Sequence, residues 1–497
     1  MDYHLAAIDL GSNSFRLSIG RVVQQHGTAQ IYAVDKLRES VRLADGLNDE
    51  KHISQEAIDR AITALKRFGE RLTGFHPNSV RAVATNAFRI ARNAQDILPL
   101  AEAALGFPIE IISGQEEARL IFSGVANELP PSEDRRLVID IGGGSTEFII
   151  GRGFKPIHMA SLYIGCTSFS KRYFPDGKIT DARMQQAQLA ARHEIEAIAK
   201  LFKRTGWQQA YGSSGTAKGL LAILLENNFS TQGLTLAGLE KLRAALIVAG
   251  KVRLRDWKGL KADRVPVLAG GLAIMLAAFQ ELKIRRMQPG DGALRTGVLY
   301  DLLGRDANHD KRDETVRQFI KRYQIDVAQA ERVTQLALAL FAQTGLDDDP
   351  EHEELTRALA WAAKLHEAGL SIAHADYHKH TAYILEHADM PGFSRDDQSL
   401  LAFLALGHQG KLGKLRNAQP SRARWLALAC LRLAVLLLRR REDISPHPLR
   451  LHAASGTITI HADPDWLAHH PLSEFSLKSE LDVWRKMNVG LRLDETL

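Results

Sequence analysis

The 497-residue chain lacks most of what would place it in a specialised class. It has only two cysteines, Cys166 and Cys430, with no CxxC pair and no Cys/His finger spacing. A disulfide scaffold and a structural zinc ribbon are therefore excluded. Neither sign of charge dominates, since 64 Lys and Arg face 58 Asp and Glu, leaving +6. That excess permits an anionic partner without requiring one. Aromatic residues make up 7% and no stretch resembles an RNA- or DNA-reading motif, so nucleic-acid binding is not expected. Low-complexity segments are missing, and 45% hydrophobic with 25% charged residues is globular composition, which excludes dominant disorder. No basic-then-apolar stretch opens the chain. The apolar run Trp425 to Leu438 is broken by Arg432 and is too short to span a bilayer, so it reads as a buried core helix. The expectation is a soluble cytoplasmic protein with no integral membrane association and about three domains.

What is present is a repeated pattern. His4 to Ile8 and Phe15 to Ile19 are apolar strands around the polar turn Asp9-Leu10-Gly11-Ser12-Asn13-Ser14, a hairpin arrangement. From Ser54 the period changes: Ile58, Ile62, Leu65, Phe68 and Leu72 recur at helical steps, with Gly74 as a stop. Val80 to Ala84 and Ile109 to Ile112 again look like strands. Then Leu137-Val138-Ile139 leads into Asp140-Ile141-Gly142-Gly143-Gly144-Ser145-Thr146-Glu147, followed by Phe148-Ile149-Ile150. Strand, Gly/Ser turn and strand thus occur twice, with Asp9 and Asp140 131 residues apart. A repeat on that scale suggests two α/β halves facing a shared cleft.

Glycines let backbone N–H groups approach an anion closely, and Ser12, Ser14, Ser145 and Thr146 add hydroxyl donors. Asp9, Asp140 and Glu147 would repel a bare phosphate. Their presence makes sense with Mg²⁺ between carboxylate and phosphate, since Mg²⁺ takes oxygen ligands and bridges to phosphate. A plain hairpin turn is the competing reading of each loop, weaker for the triple-glycine one. Neither loop fits GxGxxG or GxxxxGK[ST], because both fingerprints need a helix directly after the loop and here a strand follows.

The paired loops resemble the superfamily of actin, heat-shock chaperone ATPases and sugar kinases, and within it the exopolyphosphatase/guanosine pentaphosphatase family. Arg42 to Leu47, Thr85-Asn86-Ala87-Phe88-Arg89, Ile112 to Leu120, Gly212-Ser213-Ser214-Gly215-Thr216, Asp291 to Arg295 and a stretch around Trp361 to Leu385 agree with this. The resemblance implies two actin-like (ribonuclease H-like) α/β domains around a cleft, then an all-α HD-like domain and a small C-terminal α+β module. The boundaries expected are 1–125, 126–305, 306–445 and 446–497. The activity implied is exopolyphosphatase, with Mg²⁺, inorganic polyphosphate as substrate and a homodimer. Conversion of pppGpp to ppGpp by the same centre is the close alternative. A superfamily kinase and a non-catalytic polyanion-binding protein are the readings from other classes. A kinase would need a base pocket and an acceptor site, and neither is evident.

Phosphoanhydride hydrolysis needs phosphate charge neutralised and a water aimed in line. Ser113 and Glu116 read as a capping box, a local structural role for Glu116. Glu117 lies about 100° further round the helix and three and four residues before Leu120 and Ile121, on their inward face. It is either the water-activating base, the position where the resemblance puts the catalytic glutamate, or an acid complementing the helix dipole. Arg89 is a surface ion-pair residue on sequence alone. The resemblance makes it a phosphate grip, along with Gly11, Ser12, Asn13, Ser14, Gly142, Gly143, Gly144, Ser145, Thr146 and the second-domain loop Gly212, Ser213, Ser214 and Gly215. Asp140 and Glu147, with Asp9, would hold the metal.

After about residue 305 helical periods dominate and histidine is dense. His366-Glu367 resembles the HD phosphohydrolase pattern, but a working site has Asp after the His, so a helical scaffold without a second active site is expected. The basic run Lys411, Lys414, Arg416, Arg422 and Arg424 is either a solvated face or a track for a polyanion.

Overall fold

A computed structural model describes residues 3–25, 28–130, 132–290, 292–306, 310–346, 349, 351–418, 420–444, 447–454, 457–487 and 490–494. Asp291 of the Asp291 to Arg295 stretch and residues 307–309, just past the expected 305/306 boundary, lie outside them. The chain divides into two compact units, Met1–His309 and Asp310–Leu497.

The first unit holds two sheets. In one, β1 (Tyr3–Leu10), β2 (Phe15–Gln25), β3 (Thr28–Glu39), β4 (Val80–Ala84) and β5 (Ile109–Ile111) run in the order β3-β2-β1-β4-β5. In the other are β6 (Arg135–Ile141), β7 (Thr146–Arg152), β8 (Lys155–Leu162), β9 (Gln209–Gly212), β10 (Leu234–Thr235) and β11 (Arg286–Pro289), ordered β10-β11-β9-β6-β7-β8. Omitting β10, the two orders are the same: a three-strand antiparallel meander followed by two parallel strands. The hairpins even share register. Leu10 opposes Phe15 and Asp9 opposes Arg16, as Ile141 opposes Thr146 and Asp140 opposes Glu147. The duplicated α/β halves expected from the sequence are therefore present.

Parallel pairing requires crossovers, and these are helices packed on the sheets. Gln55–Arg71 starts at the N-cap Ser54 and buries Ala57, Ile58, Ala61, Ala64, Leu65 and Phe68, one stripe at three- and four-residue steps. Leu268–Leu282 is apolar almost all round and buried almost all round. With the residues before it, Ala262–Leu282 is long and apolar enough to cross a membrane, but 78% of its apolar window is buried inside the protein. It is a core helix, packed on Asp181–Thr205.

Gly114–Glu128 and Leu294–Asp306 pack closest of all. A Cβ on Gly297 would sit 1.8 Å from the Leu120 carbonyl oxygen, and one on Gly124 would sit 2.2 Å from that of Ala293. Only glycine lets two backbones meet this way. Arg81 and Arg119 lock the seam. Arg81 reaches Glu110 at 2.9 Å, Asp301 at 2.7 Å and Glu116 at 3.6 Å, and Arg119 reaches Glu116 at 2.7 Å and Asp301 at 2.5 Å.

The second unit contains the helices Lys311–Arg322, Val327–Phe341, His352–Leu365, Tyr377–His387, Arg395–Gly407 and Arg422–Leu437. The tail adds β12 (Leu449–Ala454), β13 (Thr457–Ala462) and β14 (Gly490–Asp494) in the order β12-β13-β14, with helices Pro464–His469 and Pro471–Arg485. Leu449, Leu451, Ile458 and Ile460 belong to the same core as Val333, Leu359 and Ala427. The tail therefore builds on the helical core and has none of its own.

Candidate active site

The two hairpin turns meet in the first unit. A Cβ on Gly143 would lie 3.1 Å from Ser12 Cβ, and one on Gly144 would lie 2.3 Å from Asn86 Oδ1. A side chain at Gly144 would run into the buried Asn86 side chain, which explains a glycine there. Between them lies a cleft of about 130 Å³. Asp9, Gly11, Ser12, Asn13, Ser14, Glu117, Asp140, Gly142, Gly143, Gly144, Ser145, Ser213, Ser214 and Gly215 line it. These residues, from four separate chain segments, thus converge on one cavity.

The remaining expected residues stand one step behind the lining. Arg89 Nη1 donates to Glu117 Oε2 at 2.8 Å and to the Ile112 carbonyl at 3.0 Å, so it touches the cleft through Glu117. Glu147 is buried and accepts from Ser161 Oγ at 2.8 Å. Thr146 Oγ1 donates to the Ile164 carbonyl at 2.5 Å. The Gly212 carbonyl accepts from Gly290 N at 2.9 Å. Ser213 lines the cleft, but its hydroxyl donates to Asp140 Oδ2.

Ser113 caps the Gly114–Glu128 helix, accepting from Glu116 N at 3.1 Å. Glu116 has the structural role expected of it, through partners that the capping pattern does not show. Its two oxygens receive Arg119 Nε at 2.7 Å and Nη2 at 2.8 Å, so it anchors the helix through the buried ion network. Glu117, on the inward face with Ile121, opens to the cleft.

Several contributors have no counterpart in the expected site. Arg16, Arg264 and Arg295 line the cleft, and Asn86 does so with a shielded Nδ2 that has no hydrogen-bond partner. Arg16 follows the first loop on β2. Arg264 comes from more than 240 residues beyond the first loop and sequence spacing gives no signal for it, whereas Arg295 ends the Asp291 to Arg295 stretch that supports the resemblance without a role being read for it.

The electrostatics are those of a crowded acidic floor beside a cationic wall. Burial holds Glu117, Asp140, Asp9 and Glu147 above the usual carboxylate range. Repulsion adds to this: Asp9 and Asp140 act on Glu117, and Glu117 and Asp140 act on Glu147. Arg89 works the other way on Glu117. Arg16 falls to about 10, through burial first and then the nearby Arg295. Such a cluster of oxygen donors suits a hard divalent cation. Among the described residues no three His, Cys, Asp or Glu side chains converge tightly enough to hold one alone. The set therefore fits Mg²⁺ carried by one or two carboxylates, with water and phosphate completing its shell.

In the second unit, the HD-like stretch offers no comparable centre. His366 is buried with Nδ1 2.7 Å from the Ala363 carbonyl, and Glu367 is held by Arg441 at 2.6 Å. Of the basic run, Arg424 lies 3.4 Å from Glu351, while the side chain of Arg416 is outside the described residues.

Comparison with known proteins agrees with this architecture. Residues 19–306 match the model of the Ppx/GppA phosphatase family, and residues 311–481 match that of Ppx/GppA phosphatase domain III. The structure of the Aquifex aeolicus PPX-GPPA enzyme is 26% identical with a TM-score of 0.50, over 60% of this chain and 99% of that one. An exopolyphosphatase from Cytophaga hutchinsonii is 25% identical with a TM-score of 0.53, over 61% and 98%. An exopolyphosphatase-like protein at 24% identity and a TM-score of 0.54, over 62% and 99%, shares the fold.

Proposed function

Since the chain belongs to the Ppx/GppA phosphatase family, whose fold is of the actin-like ATPase type, we propose that it is an exopolyphosphatase that removes terminal phosphate from inorganic polyphosphate. The observation that carries this reading is Glu117: a buried carboxylate that opens onto a cleft between two facing Gly/Ser loops.

Backbone N–H groups of Gly11 to Ser14 and Gly143 to Ser145 cradle the terminal phosphates, as glycine-rich turns cradle anions generally, while the Gly142 N–H closes the hairpin on the Ser145 carbonyl. Arg16, Arg264 and Arg295 carry the positive lining onward along the chain of phosphates. Glu117 takes a proton from a water molecule, whose oxygen attacks the terminal phosphorus. The bridging P–O bond breaks, releasing orthophosphate and a polymer one unit shorter. A base raised toward neutrality by burial suits this step. Arg89 holds Glu117 in place and balances the charge that Glu117 carries. Mg²⁺, if held by Asp9 and Asp140 at the lining with Glu147 behind them, would supply charge neutralisation at the phosphate oxygens.

Polyphosphate is favoured over pppGpp because no aromatic side chain stands among the described lining residues to stack a base. The Cytophaga exopolyphosphatase supports the same choice. The test is phosphate release with Mg²⁺ from polyphosphate and pppGpp at equal concentration, for the wild type and Glu117→Gln. Faster release from polyphosphate is expected, with Glu117→Gln slower by roughly 10²–10⁴-fold. Normal release by that variant would overturn the mechanism, and faster release from pppGpp would move the substrate to the guanosine nucleotide.

A further inference from the structure

A second cavity, of about 430 Å³, lies wholly within the Asp310–Leu497 unit and takes no part in the hydrolytic site. That volume falls in the roughly 300–1,000 Å³ range of small-molecule sites. It opens between the Arg422–Leu437 and Pro471–Arg485 helices and the turn after Gly407.

Its floor is polar and internally satisfied. Tyr377 and His408 meet there, Oη to Nε2 at 3.2 Å, while His408 Nδ1 lies 2.6 Å from the Ala405 carbonyl. Burial keeps His408 well below its ordinary range and pushes Tyr377 up to about 12, so both are neutral at physiological pH. Arg432 bonds both oxygens of Glu480 and the Gly407 carbonyl, and Glu480 also accepts from Trp484 Nε1 at 2.7 Å. The one carboxylate in the lining is therefore already neutralised.

Lys411 and Arg439 also line the cavity, and among the described residues neither forms an ion pair with a carboxylate. Both are exposed side chains, and two cations lining a cavity beside neutral groups can hold an anion. The lining also has an apolar part: Val435, Leu436 and Val483, with Phe475 at 70% exposure. An inorganic polyanion has no use for such a surface. A flat ring does, and the hydroxyl of Ser479 and the amide of Gln409 stand at its edge. No three metal-type side chains converge here among the described residues, so a metal centre does not account for the cavity.

We propose that this cavity binds a nucleoside mono- or diphosphate, its phosphate on Lys411 and Arg439 and its ring against Phe475, Val435 and Val483. The inference is independent of the substrate assigned to the first unit. It is tested on the full-length protein by calorimetric titration with AMP, ADP, GMP and GDP, with inorganic tripolyphosphate as the competitor. Wild type is expected to bind at least one of the four. The K411E/R439E double variant should weaken that binding about tenfold or more, as loss of charge-assisted contacts does. Val435→Trp, which fills the apolar side, should weaken it too, while excess tripolyphosphate leaves it in place. Because Val435→Trp risks the fold, the surface double variant decides if the melting temperature of the other falls. Absence of nucleotide binding at millimolar concentration would overturn the proposal. So would binding that survives both variants, or equal displacement by tripolyphosphate. A K411E/R439E variant that splits an oligomer without affecting nucleotide binding would mark the face as an interface between copies, and would also overturn it.

Discussion

Gly297→Ala tests how Glu117, the proposed general base, is held. The added Cβ would sit 1.8 Å from the Leu120 carbonyl oxygen, 2.6 Å from its carbon and 3.1 Å from Cα. All three atoms belong to backbone, so no side chain can swing away. For the oxygen to retreat to about 3.0 Å, the Gly114–Glu128 helix must move by more than 1 Å, or the Leu294–Asp306 helix must move instead. The Arg119–Asp301 pair at 2.5 Å and the double grip of Arg81 oppose that separation from the far side of the seam. Overpacking of this kind costs about 1–3 kcal/mol, a fall of several degrees in melting temperature. Glu117 lies one turn before Leu120 on the displaced helix. A base misplaced by about 1 Å loses about 10²-fold in rate. The two Gly/Ser loops are on β-hairpins, so kcat should fall more than KM rises if the Gly114–Glu128 helix gives way, whereas movement of the Leu294–Asp306 helix would carry Arg295 with it and raise KM as well. The assay is steady-state phosphate release beside a thermal melt, with Gly413→Ala, whose Cβ meets nothing within 4 Å, as the neutral control. A variant with lowered melting temperature and unaltered kcat would refute the reasoning, because it would show that this helix does not set the reacting geometry.

Two further outcomes follow from buried charge. Arg89→Met removes the cation that offsets the burial of Glu117, so the acidic limb of the pH–rate profile should move to higher pH, and Arg89→Lys should restore part of it. Glu117 sits above its unfolded value, so its stabilising contribution is full at low pH and fades as pH rises through the folded value. The melting-temperature deficit of Arg89→Met should therefore be larger at pH 8 than at pH 5, and an equal deficit would count against the pairing. Glu480→Gln strips Arg432 of its charge partner while both side chains are under 10% exposed, and should cost about 3–5 kcal/mol in urea unfolding. A Glu480→Leu/Arg432→Met double variant should recover much of that, and a single-variant loss below about 1 kcal/mol would refute the pair's assigned weight.

Both hairpins were legible because a polar Gly/Ser turn between apolar alternations is a local signal that nothing distant overrides. Glu117 was legible from its spacing to Leu120 and Ile121, which fixes the helix face. Arg264 and Arg295 were not, because their place at the cleft depends on how chain segments hundreds of residues apart come together. Glu116 has the structural role expected of it, but its charge partners went unread for the same reason. The capping rule sees three residues, whereas its partners include Arg81, brought alongside by the β1–β4 pairing. Leu268–Leu282 carried no period because a helix buried on every side has no polar face to mark one.

The shared register of the two hairpins hides a break in symmetry. Where Asp140 looks across at a second acid, Glu147, Asp9 looks across at a base, Arg16. Matching halves with matching charges would present a linear polyanion with two equivalent ends, and it could thread in either sense. With one half acid against acid and the other acid against base, the cleft has a head and a tail. If polyphosphate is the substrate, a chain whose two ends are alike would meet unlike charge on the two loops.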